Sequence, residues 1–220
     1  MELYSYDACP FAQRSRIVLA EKGLDYELHE VDVHNKPAGW ERISPYGKVP
    51  VLLDGGGRIY ESRIINEYLD EAYPEPPLMP GTPLARAEAR IWIDYCDTRF
   101  LPASHRYAWA DDAGRTEAAA ELDEVLRFLE REGLAHSGPY WLGKEVSLVD
   151  FHYLPFVERL AVHEQLHGYR WPADCRRLRD WYAAVCERPS VKGTLRPAEW
   201  HIEQHRRLRE AIEQRRAAGG

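Results

Sequence analysis

The stretch "VPVLLDGGGRIYESRIINEYLDEAY", residues 49–73, decides the fold. Its first and third parts, "VPVLLD" and "RIYE", are short apolar runs of strand length. Gly55, Gly56 and Gly57 join them and supply the positive φ that a tight hairpin turn needs. "ESRIINEYLDEAY" then places Ile64, Ile65, Tyr68 and Leu69 on one helical face. The unit is β-β-α, with Val49-Pro50 at its head as a candidate cis peptide. Working back toward the N-terminus, "ELYSY" reads as a strand. "PFAQRSRIVLAEK" follows as a helix with apolar Phe11, Ile17, Val18 and Leu19. Pro10 suits its first position, because the missing N–H would have had no helical partner, and Gly23 is its stop. "YELHEVDV" is another strand, so the first unit is β-α-β, with parallel strands and a right-handed crossover. "NKPAGWERISPYGK" lies between the units, mostly as loop. In the other direction comes "YPEPPLMPGTPL", residues 73–84, whose five prolines forbid helix or central strand and predict an extended linker. Strand signals end there, and helices are expected over about 84–108, 113–135, 147–166, 174–187 and from about 197. The predicted class is α/β followed by all-α: residues 1–75 a βαβ-ββα unit, 76–84 a linker, 85–220 an all-helical unit.

Composition narrows the function. The formal charge of the 220 residues is −7, so no global basic field draws nucleic acid. No run approaches 18 apolar residues, and "MELYSYDACP" lacks the regions of a secretory signal, so neither membrane nor export is expected. Cys9, Cys96, Cys175 and Cys186 are far apart, which fits free thiols in a cytoplasmic protein. In "EVSLVDF", Ser147 and Asp150 have capping-box spacing, with Val146 and Phe151 placed as a hydrophobic staple; this is a folding signal.

Cys9 stands in "DACPFAQRSR" directly before Pro10, at a helix mouth. Unpaired N–H groups and the helix dipole favour thiolate there, and Arg14 and Arg16 add positive charge if they face inward; Asp7 opposes them. The bland alternative is a small buried apolar residue. A cis Val49-Pro50 leaves the Val49 backbone free to pair with an extended peptide. Glu61 and Ser62 open a helix whose N–H groups suit a carboxylate. Thiolate, pairing backbone and carboxylate site together suit a small thiol peptide.

"CPFAQRSRIVLAEKGL", "NKP", "KVPVL" and "YESRIINEYLDEAYP" resemble the glutathione transferase superfamily, most closely its omega class, over nearly the whole chain, which implies that residues 1–75 form a thioredoxin-like domain. The resemblance implies that Cys9 forms a mixed disulfide with glutathione, the cosubstrate, and that no metal takes part. It implies that Phe11 flanks the tripeptide, Lys36 meets its glycyl carboxylate, Val49 pairs with its cysteinyl backbone beside cis Pro50, and Glu61 and Ser62 hold its γ-glutamyl end. The implied activities are thiol transfer, dehydroascorbate reduction or deglutathionylation of a small electrophilic, disulfide or glutathionylated substrate. A homodimer is implied by the family alone. A basic patch around Arg14 and Lys36 is expected, to receive the anionic peptide. The second substrate is expected between Cys9 and the helices, walled by Tyr95, Arg99, Tyr107, Trp109 and Trp200.

The chain also resembles stringent starvation protein A, a non-catalytic transferase-fold protein that binds RNA polymerase. Cys9 argues against that reading, as does Pro74-Glu75-Pro76 where that family has Pro-His-Pro. Tyr4 or Tyr6 could carry a hydroxyl-type site, but packing explains them as well. "HEQLH", residues 163–167, matches the H-E-x-x-H zinc pattern, yet Gly168 suggests that its helix ends there, no histidine follows at metzincin spacing, and nothing singles out a downstream glutamate such as Glu187 as third ligand. "HIEQH", residues 201–205, reads as a solvated helix face. Cys96 and Cys186 read as structural, and Cys175 as a bystander at a helix start.

Overall fold

The computed structural model describes residues 1–218, with side chains through residue 214. Strands β1 (Glu2–Ser5), β2 (Glu27–Glu30), β3 (Val51–Asp54) and β4 (Gly57–Tyr60) form one sheet in the order β2-β1-β3-β4. β1 runs parallel to β2, while the β1–β3 and β3–β4 pairs are antiparallel. Asp54 pairs with Gly57 across the hairpin, and Gly55 and Gly56 take φ of +55° and +81°, as a two-residue turn of the primed type requires. Helices α1 (Pro10–Glu21) and α3 (Ser62–Ala72) cover the sheet, and α2 (Trp40–Ile43) is a short turn in the intervening loop. This is the predicted thioredoxin-like arrangement.

The face of α3 is narrower than the periodicity implied. Ile65 and Leu69 are fully buried, whereas Ile64 is exposed. Helix α1 departs further: Ala12 through Leu19 are all buried, including Gln13, Arg14, Ser15 and Arg16. It lies between the sheet and the second layer, so its polar side chains serve as connections and none of its faces is solvated.

That layer is helical: α4 (Pro83–Tyr95), α5 (Leu101–Trp109), α6 (Arg115–Phe128), α7 (Leu148–Glu158), α8 (Leu160–His167), α9 (Arg176–Cys186), α10 (Pro189–Lys192) and α11 (Ala198–Ala218). The expected 84–108 helix is interrupted by a π-helical turn, Cys96–Phe100, which carries Asp97 toward α1. The expected 147–166 helix breaks at Arg159, one turn after Pro155, whose missing N–H removes a rung. Buried Asp150 accepts hydrogen bonds from the Ser147 and Trp141 N–H groups, the Ser147 hydroxyl and Trp181 Nε1, all at 2.7–2.8 Å.

The proline segment is more than a tether. Lys22 Nζ, from the end of α1, donates to the carbonyls of Tyr73 and Pro76 at 2.8 Å and pairs with Asp70 at 3.1 Å. Asp70 in turn accepts from the Leu78 and Met79 N–H groups. Leu78 and Met79 are buried in the common core, and Leu78 O receives the Leu148 N–H. No described helix is long and apolar enough to cross a membrane.

Candidate active site

Two depressions meet at the start of α1. The smaller cleft, about 80 Å³, is lined by Ser44, Lys48, Val49, Pro50, Glu61 and Ser62, together with Phe11, exposed Tyr46 and half-buried Tyr60. The larger cavity, about 680 Å³, opens between the β1–α1 turn and helices α5, α7, α8 and α11. Phe11, 39% exposed, belongs to both walls and leans edge-on against Phe156. Cys9 itself lines neither depression but lies beside both. Ala8 and Pro10 on either side of it face the large cavity, and its sulfur is 3.8 Å from Val49 O in the small one.

Cys9 is the N-cap of α1, as the sequence predicts. Its thiol, however, is pushed up from the ordinary cysteine range, which corrects the expectation of a ready thiolate. Burial of the sulfur is the largest influence. The N–H groups of Ala12 and Phe11 pull the other way, followed by Arg159 and Arg16. The two sequence arginines separate. Arg16 lies under the β1–α1 turn, bound to Ser5 Oγ and to the carbonyls of Tyr6 and Asp7. Arg14 turns away from Cys9. It is 1% exposed and donates to Asp97 at 3.0 Å, to His152 O at 2.9 Å and to Ser62 Oγ at 3.4 Å. The expected basic patch therefore lacks Arg14, because its charge is paired with the half-buried carboxylate of Asp97. Asp7, expected to oppose the thiolate, is itself paired with Arg16 and Arg196.

The Arg14 cluster ties the two walls together. Asp97 also accepts from His152 Nε2 at 2.9 Å, and these contacts hold its carboxyl down at about 2 against the opposing effect of burial. Burial and then Arg14 pull His152 down to about 4, so it is neutral near pH 7. Cys96, Asp97 and His152 lie close enough to share an ion, but the Arg14 guanidinium stands 3.6 Å from the Cys96 sulfur and disfavours a cation there.

At the small cleft, Val49-Pro50 is cis, as predicted. Among the described residues the Val49 N–H has no hydrogen-bond partner, which leaves it open to an extended peptide. Glu61 is the N-cap of α3 with φ of +70°, the only positive φ outside glycine among the described residues. Ser62 is buried beside Arg14. Lys36 is exposed on the loop; its Nζ lies close over Gly47, next to the wall segment but outside the cleft. Lys48 lines the cleft itself, and the sequence reading missed it.

The expected second-substrate wall is corrected. Tyr95, Arg99, Tyr107, Trp109 and Trp200 do not line the large cavity. Tyr95 stacks on Phe128 at 4.8 Å, and Tyr107 is buried against His163 and Tyr169. Arg99 points to solvent, Trp109 packs on His205 and Arg209, and Trp200 lies along His201 and Arg196. Helical phase turned each one off the wall. The wall instead carries Asp97, Arg106, Arg159 and five histidines, His34, His105, His163, His201 and His205. "HIEQH" is thus no solvated face: His201 is buried and bonds Glu158 at 2.9 Å. His163 and His167 do share a face of α8, which ends at left-handed Gly168. Among the described residues neither belongs to a three-ligand cluster. Tyr6 lines the cavity, while Tyr4 stacks on His29 and bonds Glu2. Cys96 and Cys175 are buried, Cys186 half-buried, and all four cysteines are free.

Known proteins share this architecture. The family model "Glutathione S-transferase, N-terminal domain" matches residues 3–77, and "Glutathione S-transferase, C-terminal domain" matches 112–184. The chain is 34% identical to glutathione S-transferase U24 of Arabidopsis thaliana, over 90% of each chain. It is 33% identical to a stringent starvation protein A homolog of Pasteurella multocida, over 89% of this chain and 90% of that one. Among solved structures, glutathione transferase Omega 3C from Trametes versicolor matches with a TM-score of 0.84 at 31% identity, over 95% of this chain and 91% of that one. A rice glutathione transferase in complex with glutathione matches with a TM-score of 0.87 at 32% identity, over 95% and 96%.

Proposed function

Because this chain belongs to the glutathione S-transferase family, we propose that it is a glutathione-dependent thiol transferase whose nucleophile is Cys9. The observation that carries this reading is the sulfur's place at a helix N-terminus, between a small polar cleft and a substrate-sized cavity. Similarity alone does not choose the class, since both the Arabidopsis protein and an omega-class structure match closely. The cysteine at the mouth of α1 favours the omega-type chemistry.

Glutathione fits the small cleft at its γ-glutamyl end only, for about 80 Å³ is too little for a whole tripeptide. The N-terminus of α3 and Ser62 receive the α-carboxylate, and Glu61 the α-ammonium. The cysteinyl part pairs with Val49, and the glycyl carboxylate lies toward Lys48 and Lys36. Phe11 flanks the peptide. In the reaction, Cys9 loses its proton and attacks the glutathionyl sulfur of a mixed disulfide RS–SG. The S–S bond breaks, RS⁻ leaves and takes up a proton, and Cys9 holds glutathione as a disulfide. A second glutathione thiolate attacks that glutathionyl sulfur, which releases oxidised glutathione and the Cys9 thiolate. The N–H groups of Phe11 and Ala12 and the charges of Arg159 and Arg16 stabilise the thiolate at both stages. Dehydroascorbate reduction and deglutathionylation use the same site. A homodimer and a cytoplasmic location complete the reading; exposed Leu84 and Ile91 on α4 are surfaces a second copy would cover.

A non-catalytic regulator that binds RNA polymerase is the second reading, favoured by the identity to the stringent starvation protein A homolog. The exposed Pro74-Glu75-Pro76 segment would be its contact. Intact-mass analysis after incubation with oxidised glutathione separates the two. The thiol-transferase reading requires a single adduct that is absent in Cys9→Ser, together with turnover of a glutathione mixed disulfide that the mutation abolishes. An unreactive Cys9 in a folded protein overturns it and sends the regulator to a polymerase pull-down.

A further inference from the structure

The large cavity is apolar in body, through Leu101, Pro102, Phe156, Val162 and Leu208, yet it carries one acid against two arginines and five histidines. Its single acid, Asp97, is already held by Arg14 and His152. Beside Tyr6, the remaining ionisable groups are histidines, of which burial lowers His163 and His205, and two fixed cations, Arg106 and Arg159, in a protein whose overall charge is −7. A cavity that opposes the sign of its protein selects for the charge it lacks.

Arg159 is the group with capacity to spare. Its Nη1 donates to Gln13 Oε1 and Pro155 O, and its Nη2 to Ala8 O at 3.1 Å. Of the five guanidinium N–H groups, Nε–H and one on Nη2 have no partner among the described residues. Two unpartnered N–H groups are what arginine needs to grip a carboxylate with two bonds. The nearest acid, Glu158, is 3.8 Å away and is engaged by Gln13, the Arg196 N–H and His201. Burial with so little countercharge pulls Arg159 down to about 10. Arg106, by contrast, is paired with Glu121. A second observation stands on the same wall. His163 is 6% exposed, and its Nδ1 has no hydrogen-bond partner.

We propose that the second substrate is an amphipathic organic acid, an aromatic or branched apolar body bearing one carboxylate, with the carboxylate on Arg159 and the body along Leu101, Phe156 and Leu208. This deepens the thiol-transferase reading and rests on it for the identity of the reacting bond. Since Arg159 holds the carbonyl of Ala8, the anion sits one residue from Cys9, so the bond to be cleaved lies close to the acid group.

The test uses unreactive probes first. Binding of 4-phenylbenzoate and of its neutral isostere 4-phenylbenzamide to Cys9→Ser is measured by calorimetry at low and high salt. The acid is expected to bind at least tenfold more tightly, with the ratio falling as salt rises, collapsing in Arg159→Met and partly retained in Arg159→Lys. Equal or tighter binding of the amide overturns the proposal, and the unmodified cavity and its salt dependence decide the matter even where Arg159→Met fails to fold. Turnover is then compared for the glutathione mixed disulfides of 4-mercaptobenzoate and 4-mercaptobenzamide. Turnover of both at equal kcat/KM defeats the proposal and leaves the thiol-transferase reading standing; acid-selective binding without turnover does the reverse.

Discussion

His152 should make the folded protein sensitive to mild acid, and its replacement should remove that sensitivity. The imidazole is 1% exposed and bonds Asp97, and burial together with the Arg14 guanidinium lowers it to about 4. In the unfolded chain it titrates near the ordinary value of about 6.5. Between those values the unfolded state binds more protons, so stability rises with pH through this window and is lost as pH falls through it. Asp97, held at about 2, adds its own loss only below the ordinary carboxylate range. From pH 7 to pH 4.5 the His152 contribution is close to two pH units at about 1.4 kcal/mol each, or roughly 2–3 kcal/mol. His163, lowered to about 3, steepens the curve of wild type and variant alike. The informative quantity is therefore the difference between slopes. Urea unfolding of wild type and His152→Gln at pH 7 and pH 4.5 should show the variant losing roughly 2–3 kcal/mol less across the interval. Parallel losses would refute the reasoning, for they would mean that the imidazole is as easily protonated in the folded protein as outside it.

Three further outcomes follow from the same contacts. Asp150→Ala leaves four buried donors without an acceptor, and should cost at least about 4 kcal/mol in urea unfolding, with Asp150→Asn milder. Glu61→Gly relieves a strained φ and should raise unfolding stability by about 1 kcal/mol while weakening glutathione binding, measured by calorimetry. Lys48→Ala removes an exposed cation at the cleft and should raise KM for glutathione about fivefold with kcat little changed in steady-state kinetics.

Local signals carried most of the architecture. The glycines at 55 and 56, the proline before β3, Pro10 at the head of α1 and the Ser147–Asp150 spacing each act within a few residues, and each does in the fold what its chemistry dictates. The placement of the candidate site residues was legible where it depended on the same short-range rules, at Cys9, Val49, Pro50, Glu61 and Ser62. It was hidden where a side chain had a choice of long-range partners. Arg14 could have faced Cys9, but Asp97 arrives from 83 residues away on a π-helical turn and captures it. The aromatic wall failed because a helix with aromatics on several faces does not reveal its phase. Arg159 left a trace that could have been followed: Glu158-Arg159 interrupts the apolar run "SLVDFHYLPFVERL", and a charged pair inside a buried helix needs a reason. The thiol's upward shift was beyond the sequence, since it reflects how much protein surrounds the sulfur.

Lys22 sets a rule for anyone recombining this protein with its relatives. The proline segment looks like the natural seam for a chimera, with one parent's sheet joined to another's helices. Yet the ammonium at the end of α1 is sealed against the carbonyls of Tyr73 and Pro76, and Asp70 reaches past the seam to the backbone of Leu78 and Met79. A crossover at residue 76 would graft a foreign strap onto a lock cut for this one. Breakpoints that keep Lys22, Asp70 and residues 73–79 from one parent preserve the joint, and libraries built on that boundary should yield more folded hybrids than libraries cut at the prolines.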